Sequence, residues 1–110
     1  MGIGYLKSIG YRDTVNLIVV AFCRDFFARK SAIENKCLSK RTLMEYEYIN
    51  TRLVDAVREI VGDDYETYIR EIGEGIGYAG SEVFDICESE YKKIKKEAKV
   101  NIAKKLHLID

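Results

Sequence analysis

Gly75, Gly77 and Gly80, in the string GIGYAG, have the spacing G-x-G-x-x-G that holds a dinucleotide's pyrophosphate against a helix N-terminus. That chemistry also needs a strand running into the glycines, a helix leaving them, and an acidic residue about 20 positions on for the ribose. The chain supplies none of this context. YETYIREI before Gly75 has helical spacing, only a short segment follows Gly80, and Lys95 and Lys96 stand where the acid belongs. The surroundings are acidic and repel phosphate. The glycines are expected instead to break the chain between helices, since glycine readily takes the left-handed backbone that ends one.

Other reactive side chains form no constellation. Cys23, Cys37 and Cys87 are odd in number and widely spaced, and His107 is the single histidine. This argues against a zinc site and fits free thiols in a reducing cytoplasm. Glu71 and Glu74, three apart, share a helix face, yet neither metal ligands nor phosphate binders surround them. His107 sits in the apolar tail LHLI without partners. The expectation is a non-enzyme with no catalytic residues, cofactor, metal or small-molecule substrate.

What remains is charge. Residues 1–58 carry ten basic and six acidic groups, residues 59–90 carry ten acidic groups against Arg70, and residues 91–110 carry seven lysines against Glu97 and Asp110. Such asymmetry marks either a footprint for a charged partner or solvated helix faces.

The elements that must position these charges read as helices. The chain has 110 residues, 47% of them hydrophobic, and no proline, which suits one domain of long uninterrupted helices. Residues 1–12 read as a loose glycine-rich arm. Asp13 or Thr14 is expected to cap a helix over 14–30, whose residues Val15, Leu17, Ile18, Val19, Val20, Phe22, Phe26 and Phe27 cover most of its circumference. Its β-branched residues 18–20 also suit a strand, but the length favours helix. It is too short and too polar to span a bilayer. Residues 31–38 either extend it or form a connection. Ser39 caps a second helix over 40–61, with the stripe Tyr46, Ile49, Leu53, Ala56, Val57 and Ile60, and Gly62 ends it. The pair spanning 13–62 is expected to form the core.

Residues 63–110 then read as a third helix over 64–73, the glycine turn, a short helix over 82–87 capped by Ser81, a break at Glu88-Ser89, and a lysine-rich helix over 90–106. Tyr91, Ile94, Ala98, Ile102 and Leu106 form the inward stripe of that last helix. The fold class is all-α, a single domain of four to five helices with a C-terminal helix-turn-helix-like unit. The very apolar first helix suggests a homodimer.

The stretch ESEYKKIKKEAKVNIAKKLHLI at residues 88–109 resembles the C-terminal segment of phage ArpU- and RinA-type late-gene transcription regulators, over about the last 30 residues. The resemblance implies a cytoplasmic regulator that binds duplex DNA through a helix-turn-helix similar to sigma-factor region 4. Ser89, Glu90, Lys92 and Lys93 would meet base edges, and Lys95, Lys96 and Lys99 would meet phosphates. The alternative is a helical protein–protein interaction or phage assembly protein that forms a homo-oligomer, in which the acidic middle and the lysine helix meet opposite charges on a partner. A continuous exposed stripe of lysines over 92–99 is the feature that would favour DNA, while pairing of those lysines with Asp63, Asp64, Glu66 or Glu74 would favour the assembly protein.

Overall fold

The computed structural model describes residues 9–110, so most of the expected N-terminal arm lies outside the described residues. Among the described residues every regular element is helical. These are α1 (Asp13–Arg24), α2 (Phe26–Asn35), α3 (Lys40–Val61), α4 (Tyr65–Glu74) and α5 (Glu88–Lys105), with 3₁₀ turns at Gly62–Asp64 and Tyr78–Gly80. The all-α, single-domain reading holds. No helix among the described residues is long and apolar enough to cross a membrane.

The long helix α3 matches its sequence signals. The Ser39 hydroxyl accepts from the Thr42 amide, and Gly62 ends the helix at φ +69°. Leu53, Ala56 and Val57 of its stripe are fully buried, while Ile60, expected on the same stripe, is exposed. The expected helix over 14–30 is instead two helices that extend to Asn35, broken at Asp25. At the break the carbonyl of Phe22 is taken by the guanidinium of Arg29, which is buried. Arg29 Nε also donates to Asn50 Oδ1 at 2.7 Å, and Asn50 Nδ2 donates to the Phe26 carbonyl at 3.2 Å. Arg29 thus satisfies a carbonyl that the break frees, and Asn50 ties Arg29 to the first turn of α2. Neither Asp13 nor Thr14 caps α1. Arg12 occupies the capping position with no side-chain bond, and Asp13 contributes only its charge to the first turn. The described end of the arm is not loose, since Tyr11 is buried and its hydroxyl donates to Asn16 Oδ1 at 2.9 Å.

The helix pairing also differs from expectation. α1 packs chiefly against α4, α3 packs against α5, and α2 makes the contact with α3. Gly73 explains the first pair. A Cβ there would lie 2.5 Å from the Arg24 nitrogen and 2.7 Å from the Cys23 carbonyl carbon, so only glycine lets α4 close on the end of α1. One core results, from Val19 and Cys23 through Leu53 and Ile69 to Tyr91 and Ile102. Leu17 is left outside it, 69% exposed.

Candidate functional site

The glycine segment ends α4 with a paired capping motif. The amide of Gly75, at φ +68°, bonds to the Ile72 carbonyl at 3.3 Å, and the amide of Ile76 bonds to the Glu71 carbonyl at 3.0 Å. The chain then runs irregularly through residues 81–87. The short bracing helix expected there is not formed, so the helix-turn-helix-like arrangement lacks that element. The Ser81 hydroxyl accepts from the Val83 amide at 2.9 Å, a turn bond that caps no helix. Six residues return too few helical bonds to offset nucleation. Competing partners hold the irregular path, and the main one is Glu71.

Glu71 is the hub of this region and is completely buried. Its Oε1 accepts from Ser81 Oγ at 2.6 Å and from the Tyr91 hydroxyl at 2.6 Å, while its Oε2 accepts from the Glu82 amide at 2.8 Å. Burial alone would raise its pKa. The hydrogen bonds from Ser81, Tyr91 and the Glu82 amide, helped by the charge of Lys95, outweigh burial and hold it below the ordinary value. Tyr91 is pushed the other way, to about 12, by burial and by its bond to the carboxylate. The rings of Tyr68 and Tyr78 lie 5.9 and 5.6 Å from that of Tyr91 and close the site. Glu74, expected on the same face as Glu71, is exposed. Asn50 and Glu71 both stand within apolar stripes in the sequence. A polar residue in such a register is the signal that marks a buried network.

The second end of the loop is pinned as well. The Tyr78 hydroxyl donates to the Ile86 carbonyl at 2.8 Å, and Val83 and Ile86 pack against the core. Arg70 and Glu82 pair at 2.8 Å across its near side. Between these anchors Phe84 points outward, 87% exposed, where the sequence suggested an apolar helix. Asp85, Cys87 and Glu88 beside it are exposed too.

Helix α5 starts at Glu88, two residues before its expected start, and its inward stripe holds, with Tyr91, Ala98 and Ile102 buried. Val100 and Ala103 are buried in addition, because α5 touches both α3 and α1. That placement divides the seven residues expected to meet DNA. Ser89, Glu90, Lys92 and Lys93 are exposed on the first turns, and Lys92 pairs with Glu88 at 3.1 Å. Lys96 is half-buried. Lys95 and Lys99 turn inward. Lys95 lies over the Tyr91 ring and donates to the Ile76 carbonyl at 2.6 Å, at the negative end of α4. Burial, then the neighbouring Lys99 charge, lowers the Lys95 pKa, while burial, then Lys96, lowers that of Lys99. The lysines of 92–99 do not form one continuous exposed stripe, and Lys92 and Lys95 bond to Glu88 and the Ile76 carbonyl rather than to Asp63, Asp64, Glu66 or Glu74.

Acidic residues in the first turn of α5 and lysines in its last turn complement the helix dipole. Further along, Asn101 Nδ2 donates to the Ala56 carbonyl at 2.7 Å and Lys105 pairs with Glu59 at 2.8 Å, tying α5 to α3. Among the described residues no group of three His, Cys, Asp or Glu side chains is placed to hold a metal ion. Gly77 has open space around it and carries the chain in an extended conformation, a connection rather than a phosphate cradle. No protein-family model matches the chain, and no curated protein or solved structure matches it.

Proposed function

We propose that this chain is a non-enzymatic helical interaction protein of the cytoplasm that docks a partner protein through the Phe84 loop. One observation carries the reading: the most exposed large hydrophobic side chain among the described residues, Phe84, stands between two anchored ends of a loop, 87% exposed. A pre-ordered aromatic loses little entropy on binding, which is how a few residues come to dominate an interface. The core derives no burial from Phe84, yet Glu71, Ser81 and Tyr78 hold the loop that displays it. A photo-crosslinking amino acid at position 84 is expected to give one discrete adduct in cells, with none from the same group at Lys104. Identical patterns at both positions would sink the reading. Exposed Leu17 on α1 supports self-association through that helix as a further contact.

A second reading retains the phage-type transcription regulator. It is favoured by Ser89, Glu90, Lys92 and Lys93, exposed on the first turns of α5 where a recognition helix would meet base edges. Binding to random duplex DNA, titrated with salt, separates the two. A steep salt dependence whose slope falls in Lys92→Ala/Lys93→Ala moves the assignment to DNA.

A further inference from the structure

At the other end of α4 from the Phe84 loop, a groove of about 340 Å³ opens between α2, α3 and the first turn of α4. Its floor is apolar, from Phe26, Ile33, Val54 and Tyr65. Its rim is acidic, with Glu34, Glu47, Asp55 and Glu66 against the single cation Lys30. Lys30 Nζ pairs with Glu66 Oε2 at 2.8 Å, which raises the lysine pKa first through that hydrogen bond and then through its charge. Glu34, Glu47 and Asp55 make no ion pair among the described residues.

We infer that this groove binds a basic amphipathic segment of a partner protein, one large apolar side chain entering between Phe26, Ile33, Val54 and Tyr65 while flanking lysines or arginines meet Glu34, Glu47 and Asp55. The charge balance of the rim selects this occupant. An acidic segment, including another copy's Phe84 loop with Glu82, Asp85 and Glu88, meets like charge there. The volume suits one or two side chains, and an apolar anchor with a charged surround is how an amphipathic helix is read in a groove. Lys30 already occupies one rim position as a partner's lysine would. The inference adds a second surface to the proposed interaction role and does not depend on Phe84.

The test uses the full chain and three fluorescein-labelled 18-residue peptides: an amphipathic leucine–lysine helix, its leucine–glutamate counterpart, and a serine–lysine peptide of equal charge. Anisotropy is expected to show saturable binding of the leucine–lysine peptide alone. Glu47→Gln/Asp55→Asn, two exposed positions, is expected to weaken it about five- to tenfold. Thr51→Trp, which fills the groove mouth from an exposed position, is expected to abolish it, and Glu97→Gln elsewhere is expected to leave it unchanged. The idea is overturned by absence of binding, by equal binding of the serine–lysine peptide, or by binding indifferent to Thr51→Trp. It is overturned equally if light scattering shows a homodimer that Thr51→Trp dissolves, because the occupant would then be a second copy. A crosslink failure at Phe84 with groove binding intact removes only the loop reading.

Discussion

The Tyr91 hydroxyl of α5 donates to the buried Glu71 carboxylate of α4 at 2.6 Å, and this bond joins the last helix to the carboxylate that also holds the intervening loop through Ser81 and Glu82. Removing the carboxylate leaves the Ser81 hydroxyl and the Glu82 amide without their acceptor, and the Tyr91 hydroxyl with only the longer bond to the Ile76 carbonyl at 3.3 Å. Glu71→Ala is therefore expected to cost about 3 kcal/mol or more, and Tyr91→Phe about 1–2 kcal/mol. Urea unfolding followed by circular dichroism measures both. Equal, negligible effects would remove Glu71 as the hub.

The same carboxylate makes a pH prediction. Glu71 titrates below its ordinary 4.5 in the fold. A carboxylate with a depressed folded pKa contributes stability that is fully present above the unfolded value and is lost as pH falls through the folded one. Stability of the wild type should therefore drop as pH falls below about 4.5, and Glu71→Gln should flatten that limb. The difference between the two proteins isolates Glu71 from Glu59, which Lys105 and Asn101 also hold low.

Gly73→Ala is expected to destabilise the protein by about 2–4 kcal/mol, because the new methyl meets the backbone of Cys23 and Arg24 rather than a side chain that can move. Gly77→Ala, in open space, is expected to stay within about 0.5 kcal/mol of the wild type. Thermal unfolding of the pair decides whether the α1–α4 crossing depends on glycine.

His107 ends α5 in a left-handed conformation at φ +60°, with its amide bonded to Lys104 and that of Leu108 to Ala103. A residue with a Cβ pays strain there that glycine avoids. His107→Gly is expected to stabilise by about 0.5–1 kcal/mol, and His107→Val to destabilise. A loss in the glycine variant would show that the imidazole itself contributes.

The three thiols should separate in reactivity. Cys87 is exposed and its pKa is lowered by the Ser89 hydroxyl and by the amides of Glu90 and Ser89 at the start of α5. Cys23 is buried, and burial pushes its pKa up to about 12. Native labelling with iodoacetamide at neutral pH is expected to modify Cys87 fastest and to spare Cys23 until the chain unfolds. Rapid native labelling of Cys23 would contradict the packing of α1 on α4.

Much of the architecture was readable from the residues alone. Helical spacing, the absence of proline, Ser39, Gly62 and Gly75 determined that the chain is helical and where α3 and α4 end, because caps and periodicity act over one or two turns. The inward stripe of α5 was legible for the same reason. The break at Asp25, the irregular path over 81–87 and the burial of Lys95 and Lys99 were not. Each depends on a partner distant in the chain: Asn50 beside Arg29, Glu71 beneath Ser81, and the end of α4 beside Lys95. Local pattern reports which face of a helix is apolar, but a lysine's exposure and the failure of residues 82–87 to coil depend on what tertiary structure places against them. That is why Phe84 read as a helix residue in the sequence and stands exposed in the fold.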